Sequence, residues 1–167
     1  MPTAITNGIG AHDFARAIRE DTRQPRLLYL GTEHGVYISF DDGAKWESLR
    51  QNLPDTPVHD IAVEDRDLVI ATHGRGFYVM DRIAPLRQGG LPTTTALHLY
   101  TPGDALRGLD RNVAIDYYLK QPAQTVTMEF LDAQGKVIRA FTGTPADAER
   151  KPPADGDDGP RRPPEPH

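Results

Sequence analysis

"VYISFDDGAKW", residues Val36 to Trp46, sets a short β-forming run against two adjacent carboxylates, a glycine and the only tryptophan of the chain. Asp41 and Asp42 could do chemistry or hold a turn together. Ser39-x-Asp41-x-Gly43-x-x-Trp46 puts short oxygen-bearing side chains where a strand ends and its backbone N–H groups come free, and such side chains accept from those groups. Gly43 permits a positive φ. Trp46 opens the next strand with a large apolar surface that can cover the turn. A catalytic Asp41 would need a partner carboxylate on the same face, and the repeat around it supplies none, so these residues are expected to hold the turn.

The run before this motif has an echo. "LLYLGTEHGVYIS" from Leu27 returns as "DLVIATHGRGFYVM" from Asp67, with Leu28 matching Leu68 and Thr32 matching Thr72 at an offset of 40. Upstream, "AIRED" ending at Asp21 matches "IAVED" ending at Asp65 at an offset of 44, the difference falling in the loop "TRQPR". A period in the low forties carrying several short strands is that of a β-propeller blade. The repeat also decides Asp13–Glu20, which could be helical by composition, in favour of a strand. The first unit is read as strands Phe14–Arg19, Leu27–Thr32, Val36–Phe40 and Trp46–Arg50. The second is read as Val58–Val63, Leu68–Thr72 and Phe77–Asp81, with a weak fourth candidate around Leu86. Two blades do not close a ring of 4–8, so residues 1–88 are expected to be part of a propeller.

Residues 89–111 read as a linker, on the composition of "LRQGGLPTTT" from Leu86. In 112–145, Asn112–Leu119, Thr125–Leu131 and Lys136–Thr142 alternate apolar and polar residues, and "DAQG" supplies a tight turn between the last two. The expectation is a three-stranded antiparallel piece, the opening of an immunoglobulin-like β-sandwich. Seven of the 15 prolines follow Thr144. With Ala as its only aliphatic residue, the segment 146–167 cannot offset its ordering entropy and is expected to be disordered. "DGDDG" within it lacks the spaced ligands and closing glutamate of a calcium loop.

Composition narrows the function classes. Among 167 residues, Lys and Arg number 19 and Asp and Glu 24, a formal net charge of −5, and the basic residues are scattered. Nucleic-acid binding is therefore not expected. No apolar run approaches the ~20 residues of a membrane helix, and the opening "MPTAITNGIGAHDFARAIRE" has no basic-then-apolar signal region. Without cysteine there are no disulfides or thiolate sites. No cofactor or metal set is evident.

The S-x-D-x-G-x-x-W match is an Asp-box, and residues 5–88 resemble the Asp-box (bacterial neuraminidase repeat) propeller proteins, which include sialidases, other glycosidases and sortilin-type receptors. "AIREDTRQPRLLYLGTEHGVYISFDDGAKWESLRQNLPDTPVHDIAV" and "LVIATHGRGFYVMDRIAPLRQ" are similar to the last blades of large bacterial sortilin-like or glycosyl-hydrolase-like proteins. "AIDYYLKQPAQTVTMEFLDAQGKVIRAFTG" resembles the start of the immunoglobulin-like module that follows them. The resemblance implies missing blades, a secreted or periplasmic parent, and ligands on the propeller face opposite the Asp-boxes. Strand counting puts the turns "TEHG" and "THGRG" on that face, making Glu33, His34, His73 and Arg75 the candidates for a ligand-facing rim. The two histidines suit acid–base or metal chemistry but have no third ligand in view, and Arg75 could clamp a carboxylate. Tyr29, Tyr37 and Tyr78 sit within strands and are expected to pack. No complete catalytic set is present. The expected role is structural or binding, toward a glycan or a protein; the alternative is part of a glycoside hydrolase whose catalytic residues lie on the missing blades.

Overall fold

The computed structural model describes residues 5–90, 92, 94–103 and 114–144. The expectations for 146–167, and for the first two residues of the strand expected at Asn112–Leu119, lie outside these. The described chain is all-β, with small antiparallel sheets and one four-residue helix. It divides into two compact units, 1–118 and 119–167.

In the first unit, β1 (Ala15–Glu20), β2 (Leu28–Thr32), β3 (Val36–Ser39) and β4 (Glu47–Ser48) form a four-stranded sheet in sequence order, every neighbour antiparallel. β5 (Val58–Val63), β6 (Leu68–Thr72) and β7 (Phe77–Met80) form a three-stranded sheet in the same manner. The strands share one core, in which Tyr29, Val36 and Ile38 of the first sheet are buried with Val58, Ile61, Leu68 and Ile70 of the second. Gly31 marks the closest approach. A Cβ there would lie 2.6 Å from Cγ1 of Val58, so no larger residue lets β5 seat on β2.

The ladders align the two sheets residue by residue. Ala15 faces Thr32 and Val58 faces Thr72, so β1 and β5 correspond at an offset of 43, with Ile18 opposite Leu30 as Ile61 is opposite Ile70. This corrects the offset of 44 taken from the matching letters of "AIRED" and "IAVED". After the next turn, Val36 and Ile38 correspond to Phe77 and Val79, because Gly31 pairs Val36 as Ala71 pairs Phe77.

Equivalent residues are not equally covered. Val36 and Ile38 are 1% and 3% exposed under the second sheet, whereas Phe77 and Val79 are 77% and 56% exposed. On the opposite face, Ile61 is 1% exposed against the first sheet and its counterpart Ile18 is 48% exposed.

Three features depart from expectation. The weak fourth strand around Leu86 is instead the short helix α1 (Ala84–Arg87), with Pro85 in its first turn. Proline is accommodated there because that N–H has no intrahelical partner, whereas a ladder would miss it. Within the expected linker, β8 (Leu97–Leu99) pairs with β9 (Tyr117–Leu119), and the pairing takes β9 away from the expected three-stranded piece. What remains of that piece is a two-stranded hairpin of β10 (Val126–Leu131) and β11 (Val137–Gly143) in the second unit. Asp132 closes its turn, accepting from the N–H groups of Gln134 and Lys136.

Candidate functional site

The turn between β3 and β4 is internally satisfied. Ser39, fully buried, accepts from the Gly43 N–H at 2.9 Å and donates to Oδ1 of Asp41 at 2.8 Å. The same Asp41 oxygen accepts from the Lys45 N–H at 2.8 Å. These bonds, with the Lys45 N–H foremost, hold the Asp41 carboxyl below its ordinary pKa. Asp42 and Gly43 both have positive φ, 63° and 84°. Trp46 is buried against Leu28, Leu30, Ile9 and Tyr37, and its indole N–H donates to the Ile5 carbonyl at 2.8 Å. Asp41 is thus a turn acceptor with its oxygen committed.

In an antiparallel meander, successive connections alternate between the two ends of the sheet. The β2–β3 turn (Glu33, His34) therefore lies at the end opposite the β3–β4 turn, and the β6–β7 turn (His73, Arg75) occupies the equivalent place in the second sheet. The two turns share a framework: Thr32 Oγ1 donates to the Gly35 carbonyl, and Thr72 Oγ1 to that of Gly76. The loop from β4 to β5 reaches both. His34 Nδ1 lies 2.9 Å from Oδ1 of Asp55, and Thr56 Oγ1 donates to the His73 carbonyl at 3.4 Å. Arg50 Nη2 is 4.0 Å from Asp55 Oδ2, and Arg75 is near enough for its charge to help hold Asp55 ionised. The His34 bond comes first in lowering the Asp55 pKa, and in return raises that of His34.

The four sequence candidates therefore fall into distinct situations. Glu33 is bound by Arg16, whose Nε is 2.6 Å from its Oε2. His34 is on Asp55, and His73 faces His59, Nδ1 to Nε2, at 3.2 Å. Arg75 is exposed and has no hydrogen-bond or ion-pair partner among the described residues. Asp55 is the residue that joins the turns, and nothing in "NLPDTPV" marked it; its aspartate reads as one more loop residue. Among the described residues, no group of three or more His, Cys, Asp or Glu side chains could hold a metal ion, and no helix is long and apolar enough to cross a membrane.

A second polar constellation is buried. Arg87, projecting from α1, reaches Oδ1 and Oδ2 of Asp21 at 2.9 and 3.0 Å, while its Nη2 donates to the Glu64 carbonyl at 3.1 Å and its Nη1 to that of Asp65. Asp21 also accepts from the Tyr29 hydroxyl at 3.1 Å and from the N–H groups of Arg23 and Gln24. Burial opposes ionisation of Asp21, but these donors together outweigh it and its pKa is lowered. Burial and the neighbouring carboxylate push the Tyr29 hydroxyl well above its ordinary value. Every strong group here is matched, so the cluster ties the end of β1 to the end of β5. Tyr29 packs in the core, as its place in the strand implied.

No protein-family model matches this chain, and no curated protein and no solved structure gives a significant match.

Proposed function

We propose that the chain supplies two blades of an Asp-box β-propeller and that the turns carrying Glu33, His34, His73 and Arg75 contribute to a surface recognising a glycan or a protein. The blade reading is supported by the unequal covering of equivalent residues. Each sheet has one face shaped for a unit like the other, and the faces left open are the ones further units would cover. The 77% exposure of Phe77, where Val36 is buried, is what stacking with a missing neighbour would relieve.

The observation that carries the binding role is the exposed Arg75, with no hydrogen-bond or ion-pair partner among the described residues, on the β6–β7 turn at the sheet end opposite the Asp-box, where its charge reaches Asp55. A guanidinium in that setting suits a carboxylate or a sugar hydroxyl. The rim carboxylates offer little for glycoside hydrolysis. Glu33 is bound by Arg16, and Asp55 by His34 and Arg50, so a hydrolase would have to draw its acid–base pair from elsewhere.

The test is a glycan-array and hydrolysis screen on the chain and on a complete parent, with Arg75→Ala and His34→Ala variants. Binding that weakens in the variants at unchanged thermal stability supports the reading. Binding indifferent to both substitutions removes the rim, and hydrolysis by the parent moves the function to the alternative.

A further inference from the structure

One position in the repeat carries two different chemistries. In β1 the register shifts between Ala15 and Ala17, and in β5 between Val58 and Asp60. Arg16 and His59 are the extra residues at these shifts, and they correspond at the same offset of 43. An extra residue in one strand re-aims its side chain, and here both turn toward the first residue of the β2–β3 or β6–β7 connection. In the first sheet this gives the Arg16–Glu33 ion pair. In the second it gives His59 and His73, with Nε2 and Nδ1 3.2 Å apart and ring centroids 4.9 Å apart.

The first pair is complete in itself. The second is two exposed imidazoles that have, among the described residues, only each other as side-chain partners. The His73 backbone is fixed, its N–H donating to the Pro57 carbonyl at 2.9 Å and its own carbonyl accepting from Thr56 Oγ1, and His59 sits in β5 between the paired residues Val58 and Asp60. The imidazoles are thus held close by the sheet, and the 3.2 Å spacing needs no rearrangement of the chain.

We propose that His59 and His73 form a two-histidine site for a borderline divalent transition metal ion, zinc, nickel or copper(II). Two nitrogens each about 2.0–2.1 Å from a tetrahedral ion stand about 3.3 Å apart, close to the observed separation. Small rotations of the exposed rings turn both lone pairs to one ion, each imidazole keeping its proton on the outward nitrogen. Imidazole donors select this class of metal over calcium and magnesium, which take oxygen. No third His, Cys, Asp or Glu joins the pair among the described residues, so the remaining positions are open to water or to an oxygen donor from outside. The net charge of −5 favours cation approach. The site does not depend on the propeller reading.

The experiment is a titration of the untagged chain with zinc chloride and with nickel chloride, by calorimetry and by the imidazole resonances. One ion per chain should bind, moving the His59 and His73 resonances and leaving His34 in place. The double variant His59→Arg with His73→Glu transplants the pair of the first sheet. It should fold with an unchanged melting temperature and lose the site, whereas His34→Ala should keep it. Unaltered binding in the double variant, or no binding by the chain at millimolar metal, would overturn the proposal.

Discussion

The first and second sheets are built on one template and differ in what each does at its ends. Both use a Thr-led turn closed on a glycine carbonyl, both carry a register shift at the same place, and both put small or β-branched residues where strands meet. The first sheet finishes with a strand preceded by Trp46, which is buried against Leu28, Leu30 and Tyr37 of that sheet. The second has no such motif and finishes with α1, whose Arg87 reaches back to Asp21 of the first. One sheet is closed locally, by an eight-residue motif. The other is closed by a side chain 66 residues from its partner. Repetition thus sets the strands, and the closures are particular to each copy.

If the local closure is real, Trp46→Ala should be the most damaging change in the first sheet, costing about 3–5 kcal/mol. Ser39→Ala should cost about 1–3 kcal/mol, because it leaves the buried Gly43 N–H without its acceptor. Asp41→Ala should rank below both, since its side chain is only half-buried. Urea denaturation would order the three, and unchanged midpoints for Trp46→Ala and Ser39→Ala would show that the motif does not hold the sheet.

The long-range closure should be nearly as costly to break. Arg87→Ala leaves a buried carboxylate short of its cation, and about 3 kcal/mol is expected, the low end for a buried pair because Arg87 keeps 13% exposure. The pH dependence separates this from lost packing. The Asp21 pKa is lowered from its ordinary 3.8, so its stabilisation is present above that value and is lost as pH falls through the lowered one. Without Arg87 the folded carboxyl titrates higher and has less to lose. The gap between variant and wild type should therefore narrow in acid, and a gap independent of pH would assign the loss to packing alone.

The strands of both sheets were legible in the sequence because period-2 alternation and turn residues are local signals, and the repeat reinforced each with the other. The offset of 43 was not legible. A shifted residue such as Arg16 or His59 changes which side chains oppose without changing composition, and matching "AIRED" to "IAVED" by letter hid it. The helix at Ala84–Arg87 did leave a signal, Pro85 in the first turn and Gly89–Gly90 after the last, but expecting a fourth strand by repetition overrode it. Glu33, His34, His73 and Arg75 could be assigned to one set of turns by strand counting. Their partners could not: Asp55 and Arg16 reach them only through folding, and no spacing encodes Asp21 with Arg87.

Equivalent positions with opposite surroundings allow a sharper comparison. Val36→Ser should cost about 1.5–3 kcal/mol, the burial of one valine. At the matching residue, Phe77→Ser should change stability by no more than about 0.5 kcal/mol and should reduce self-association, because it removes the most exposed apolar side chain of an uncovered face. Sedimentation velocity and thermal melts on the two variants would check this. A large loss of stability in Phe77→Ser would mean that β7 is covered within the chain, and the argument for a missing neighbour would lapse.

The smallest expected effect distinguishes the histidines of the two turns. His34 stands on a carboxylate, which gives it a reason to hold its proton longer, and His73 stands beside another imidazole. The Asp55 bond comes first among the causes that raise the His34 pKa above its ordinary 6.5, with the Asp13 and Glu33 charges adding to it. A raised folded value means that the stabilisation is fully present below the unfolded pKa and is lost as pH rises through the folded one. Both partners are exposed, so the melting temperature will hardly register this. The imidazole resonance will. In an NMR titration of wild type and Asp55→Asn, the His34 midpoint should fall toward 6.5 in the variant. Equal midpoints for His34 in the two proteins would mean that Asp55 does not bind it in solution, and the loop from β4 to β5 would no longer join the turns.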